Sequence, residues 1–107
     1  MSQLWQLANA EARAARDPET FNIPSTRERY SLGVGDDAKL IFEVLPDPLS
    51  GNTGERMWVR IESVEVPGRY VGTLMNHPVV VTSLSHGAKV VFGAEHVADI
   101  DRDEDTQ

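Results

Sequence analysis

A 107-residue chain with 40% hydrophobic and 25% charged residues has material for one hydrophobic core, which excludes a separate substrate domain and disorder along the whole length. The absence of cysteine removes disulfides, thiolate nucleophiles and sulfur-ligated zinc, and fits a reducing cytoplasm. Of the formal charge of −7, Asp99 to Gln107 carry −4 and the body −3, a balance that disfavours nucleic acid and anionic membrane as partners and suits a basic protein surface or a cation.

Leu4, Leu7, Ala8, Ala12 and Ala15 recur at helical spacing among good helix formers. The spacing predicts a helix from Ser2 to Arg16, capped by Ser2, stopped at Asp17-Pro18, and docked on a sheet through its alanines. This N-terminal stretch lacks a basic region and an unbroken apolar run, so neither a secretory signal nor a membrane span is expected. Phe21, Ile23 and Pro24 form an extended apolar arm, and Ser25-Thr26-Arg27-Glu28 has capping-box spacing for a turn or short helix through Tyr30. The Gly33 to Asp37 turn feeds a strand, Ala38 to Leu45, with Ala38, Leu40, Phe42 and Val44 on one face. Ile41 and Leu45 make the other face apolar enough to be covered as well. Pro46 to Gly54 has loop composition.

Glu55 to Pro78 is the longest locally consistent stretch and reads as a β-hairpin. Met57, Val59 and Ile61 alternate with Trp58, Arg60, Glu62 and Val64, and Pro67-Gly68-Arg69 turns the chain into Tyr70 to Met75. Gly72 marks a close backbone approach, either by the chain itself, curling the sheet, or by a partner at a binding edge. Asn76-His77-Pro78 is a turn, Val79 to Thr82 a β-branched strand, Lys89 to Phe92 another, and Ala94 to Ile100 a helical turn or short extended piece. The predicted fold is α+β: one domain over residues 1–100, with an N-terminal helix packed on a curved, mostly antiparallel sheet of about five strands, as in an SH3-like partial barrel. A flat sheet with the helix across one face is the structural alternative. Asp101 to Gln107 is expected to be a disordered acidic tail.

His77, His86 and His96 with Asp99 are ligand types, but no His-x-x-x-His or Glu-x-x-His spacing joins them. Ser83, Ser85 and His86 read first as turn residues, since no Gly-x-Ser-x-Gly elbow is present. Gly33-x-Gly35 precedes a strand, whereas a phosphate cradle precedes a helix, and no cofactor is expected. Trp58, Arg60 and Tyr70 would share one sheet face if the hairpin forms, and with Asn76 and His77 they make a candidate partner surface. The competing reading packs Trp58 under the first helix.

Glu55, Trp58 and Val59, then Gly72, Leu74, Asn76 and Pro78, then Gly87, Val90, Phe92 and Asp99 together resemble the bacterial YegJ-like domain of unknown function. That family shows a Glu-x-x-Trp-Val strand, a Gly-x-Leu-x-Asn-x-Pro segment and a late glycine turn before a strand and a terminal aspartate. Asp17 to Phe21, Ile23 to Ser25 and Lys39 to Phe42 also resemble one subgroup. Ala88 and Ile100 depart from the aspartate and tryptophan usual at those places. The resemblance implies a compact bacterial α+β domain and carries no activity with it. The expected function is therefore a non-enzymatic binding or accessory module, immunity-type proteins included, acting on an unidentified protein partner as a monomer or weak homodimer. The alternative is a small metal-dependent hydrolase using His77, His96 and Asp99.

Overall fold

The computed structural model describes residues 4–47 and 51–101, the side chains of residues 45–47 and 51–53 excepted. In chain order the elements are β1 (Trp5–Leu7), α1 (Ala10–Arg16), α2 (Thr26–Tyr30), β2 (Asp37–Asp47), β3 (Gly51–Val66), β4 (Arg69–Leu74), β5 (Lys89–Gly93), a 3-10 turn (Ala94–His96) and β6 (Val97–Asp101). All pairings are antiparallel, in the order β2-β3-β4-β5. Both β1 and β6 pair with β2, at Phe42 to Val44 and at Asp37 to Leu40 respectively. The long β2 and β3 bend the sheet into a curled half-barrel, and the 3-10 turn carries the chain from β5 at one side to β6 at the other. This is the α+β partial barrel that the strand pattern predicts.

Alternation decides which residues enter the core. Ala38, Leu40 and Phe42 from β2 meet Met57, Val59 and Ile61 from β3, with Tyr70, Leu74, Val90, Phe92 and Val97 closing the concave side. The convex side is covered at one end only, where Ala8, Ala10 and Ala98 pack on Ile41, with Phe21 and Ile23 beside them. Alanines permit that close approach. The docking stripe is Ala8 and Ala10 rather than the expected Ala12 and Ala15, of which both are exposed. The Leu45 side chain lies outside the described part.

Three expected elements differ. The helix begins at Ala10, not Ser2: residues 5–7 are strand, and Asn9 caps the helix, its Oδ1 accepting from the Ala12 N–H at 2.9 Å. Asparagine side chains compete for backbone donors and so start helices rather than continue them. Ser2 itself lies outside the described residues. The expected loop over Pro46 to Gly54 is mostly ladder, since Asp47 pairs with Gly51 and residues 48–50 fall outside the description. Val79 to Thr82 is not a strand but a loop of bends and turns. Ala94 to Ile100 divides into the 3-10 turn and β6, so both expected forms occur in succession. The acidic tail beyond Asp101 lies outside the described residues.

Arg29 binds the layers together. Its guanidinium, buried at 4% exposure, donates to Pro24 O (2.9 Å), Ala94 O (3.0 Å), Thr26 Oγ1 (3.2 Å) and Glu11 Oε2 (2.5 Å). Tyr70 donates its hydroxyl to Arg29 O at 2.6 Å. One side chain thus joins α1, the arm, α2 and the 3-10 turn, and the capping box at Ser25 and Glu28 forms as its spacing predicts and fixes the start of the helix that carries it.

Candidate functional site

The convex face of the sheet is read directly from register. One row runs Asp101, Asp37, Arg60, Thr73, Lys89 across the strands. The Arg60 guanidinium grips Asp37 through two hydrogen bonds of 2.8 and 3.1 Å, which with the aspartate's charge hold it above its ordinary range; Asp101 adds to this. Lys89 donates to Glu62 Oε1 at 2.7 Å and Thr73 donates to Oε2, and these bonds, the lysine's first, keep the Glu62 carboxyl below the usual range. The charges of this row neutralise one another on the surface.

The next row is Asp99, Lys39, Trp58. Trp58 is half-buried and Lys39 places its Nζ 5.0 Å from the indole centroid. Beside it, Arg56 holds its guanidinium 5.7 Å from the Phe21 ring, with Arg13 at 5.6 Å from the same ring. Arg13 is paired with Glu43 at 3.0 Å. Lys39 and Arg56 have no carboxylate partner among the described residues, although both sit against aromatic faces that hold cations in place. They line an open groove of about 580 Å³ between the arm at Phe21, Ile23 and Pro24 and the strand residues Ala98 to Ile100.

The hairpin that follows is held by three fixtures. Glu55 receives the N–H groups of Val79 (2.7 Å), Val80 (2.9 Å) and Val81 (3.0 Å) on its carboxylate. Partial burial pushes that carboxyl up, but the Val81, Val79 and Val80 donors together outweigh it, so its pKa lies below the ordinary 4.5. Asn76 accepts the Trp58 N–H on Oδ1 at 2.6 Å. A Cβ at Gly72 would come within 2.5 Å of Arg60 O and 2.6 Å of a Val59 methyl, so the close approach comes from the chain's own β3. Leu74, fully buried, anchors the same strand in the core.

The candidate surface therefore divides. Trp58 and Arg60 lie on the convex face, Trp58 against Lys39 rather than in either hydrophobic cluster. Tyr70 does not join them: it is completely buried, packed at 5.3 Å on Phe92, because it points inward from β4 opposite Val64. The Asn76 oxygen is committed to the hairpin. His77 is exposed and stacks on His86, with ring centroids 4.6 Å apart and 13° between planes, although the two come from separate turns. His96 accepts the Gly93 N–H on Nδ1 at 3.0 Å; burial keeps its pKa below the ordinary value, Glu95 and Glu11 opposing and Arg69 assisting. Asp99 accepts the Ile100 N–H. Among the described residues no three His, Cys, Asp or Glu side chains gather where they could hold a metal.

Lys39 and Arg56 were not among the surface candidates read from the sequence, and Phe21 was read only as part of the apolar arm. The signal for Lys39 was its parity in β2, opposite to Leu40 and Phe42, but matching it with Trp58 needs the β2/β3 register. No helix among the described residues is long and apolar enough to cross a membrane. No family model, no curated protein and no solved structure matches the chain.

Proposed function

We propose that the chain is a non-enzymatic binding module of the bacterial YegJ-like kind that takes a segment of a protein partner in the groove beside Trp58. The observation that carries this reading is the pair Lys39 and Arg56. Each is set over an aromatic ring and lacks a carboxylate partner among the described residues, while Arg60, Lys89 and Arg13 on the same face are all neutralised. An aromatic and cationic floor in a long open groove suits an extended peptide bearing a carboxylate. The groove also has the acidic Asp99 and Glu28 at its rim, so the partner segment carries both signs of charge rather than a run of phosphates.

The test is capture of partners from the native cell extract on immobilised wild-type chain, on Trp58→Ala and on Arg56→Ala, followed by calorimetry with the captured protein. Both substitutions are expected to weaken binding about tenfold or more, the range of an interface anchor. A partner held equally by all three chains would overturn the groove as its site.

A further inference from the structure

The two sides of the groove beside Trp58 differ in chemistry. Ile61 N–H donates to Asp36 O and Ala8 N–H to Ile41 O, both at 2.9 Å, so even-numbered residues of β2 turn their backbone groups toward β3 and odd-numbered ones toward β1 and β6. Lys39 and Asp37 therefore bond to Asp99 and Asp101, and the backbone groups of Ile100 between them point out from the sheet at the rim of the groove. Asp99 Oδ1 takes the Ile100 N–H at 2.8 Å. That leaves Asp99 Oδ2 and the Ile100 carbonyl on one rim as acceptors without a partner among the described residues.

The other side donates. Register sets Lys39 between Asp99 and Trp58, and its side chain leans away from the aspartate, with Nζ 5.0 Å from the indole centroid. Arg56 lies two residues from Trp58 on β3, held against Phe21. A carboxylate over β3 between Trp58 and Arg56 meets both cations. The acceptors on β6 and the cations over β3 stand one to two strand spacings apart, about 5 to 10 Å. An extended peptide shows residues i and i+2 on one face about 7 Å apart, residues i and i+4 about 14 Å apart, and residue i+1 on the opposite face. Only the i, i+2 pair fits that span.

We infer that the groove recognises an extended peptide segment with a lysine or arginine and a carboxylate two residues apart, the cation on Asp99 Oδ2 and Ile100 O and the carboxylate between Lys39 and Arg56. This rests on the groove being the partner site, and it adds the spacing that a partner segment must have. A purely acidic segment sets a carboxylate against Asp99, and a purely basic one sets a cation against Lys39 and Arg56, so both are rejected by repulsion.

Acetylated and amidated Gly-Lys-Ser-Glu-Gly, titrated at low salt against the full chain, should shift the Trp58 indole N–H signal with a dissociation constant on the order of 1 mM. The isomer Gly-Lys-Glu-Ser-Gly, with its charges on opposite faces, should bind about threefold or more weakly. Asp99→Asn keeps an acceptor for the Ile100 N–H, so it should hold the wild-type urea midpoint while weakening the Lys-Ser-Glu peptide about threefold. Asp99→Lys should reverse the preference, favouring Gly-Glu-Ser-Glu-Gly. A wild-type chain that does not bind the Lys-Ser-Glu peptide, that binds both isomers equally, or whose preference survives Asp99→Lys would overturn the spacing and leave the groove, tested by partner capture, standing. Peptide binding unchanged by both Trp58→Ala and Arg56→Ala would overturn the groove and the spacing together.

Discussion

Replacing Glu55 by glutamine should destabilise the protein through a loop more than twenty residues away in sequence. The carboxylate holds three successive backbone donors: Oε2 takes Val79, and Oε1 takes both Val80 and Val81. Glutamine keeps one acceptor oxygen, which can remain with Val80 and Val81, but turns an amide toward the Val79 N–H. Val79 is 79% exposed and finds water at little cost, whereas Val81 is completely buried. The loss is then the charge assistance on two bonds and one exposed bond, about 1 to 2 kcal/mol. Alanine abandons the buried Val81 donor as well and should cost about 3 kcal/mol. With a urea slope near 1.5 kcal/mol per molar, alanine moves the midpoint down by about 2 M and glutamine by about 1 M.

Acid supplies the control. The folded pKa of Glu55 lies below its unfolded value, so its contribution is complete above the ordinary carboxylate value of 4.5 and is lost as pH falls through the folded value. The gap between wild type and Glu55→Gln should therefore be widest at neutral pH and narrow as pH falls through the folded value. Hydrogen exchange should report the same event locally, with faster exchange at Val80 and Val81 in the variant. A Glu55→Gln midpoint equal to wild type at neutral pH, or a gap unchanged in acid, would refute the carboxylate cradle.

Arg29→Ala should cost about 3 kcal/mol, the low end for breaking a buried pair, because Glu11 is 39% exposed and can rehydrate while Ala94 O keeps the Val97 N–H. A urea midpoint lowered by less than about 0.5 M would show that the guanidinium does not bind the layers together. His96 is neutral when it accepts the Gly93 N–H, and burial lowers its folded pKa below the unfolded value. Its contribution is full above the unfolded pKa and declines as pH falls from there toward the folded value, so wild type should lose stability on moving from about pH 7 to pH 5.5, and His96→Gln should flatten that slope. Parallel slopes in denaturation at the two pH values would contradict the assignment.

What could be read from the residues was local. The Ser25 to Glu28 capping box involves donors and acceptors three residues apart, and both its bonds form. The β3/β4 hairpin follows from alternation on either side of Pro67-Gly68, where Gly68 takes the left-handed φ of +85° that the turn needs. Failures came where a distant group overrides a local preference. Val79 to Thr82 has strand composition, but Glu55 gathers its donors to one point, which an extended strand cannot do. The alanine period suggested a helix reaching back to Ser2, but Trp5 to Leu7 find a ladder on β2, with Trp5 packed 5.4 Å from Phe42. Tyr70 was placed beside Trp58 and Arg60 on the assumption that the hairpin alone would put them on one face; alternation along β4 sets it on the same side as Leu74, which pairs with core residue Val59, and so turns it inward.

The same logic separates residues that fold the chain from those available for binding. Glu55, Gly72, Leu74 and Asn76 each complete a contact that the hairpin requires, so their presence is explained by folding alone. Lys39, Arg56 and Trp58 differ in kind. A register slip of one residue would bury them and expose Leu40 and Met57, so the core fixes which way they point, but no core contact or ion pair among the described residues requires a lysine, an arginine or a tryptophan there. The contacts with Trp58 and Phe21 hold Lys39 and Arg56 in place without neutralising them, which leaves both charges presented at the edge of the open groove.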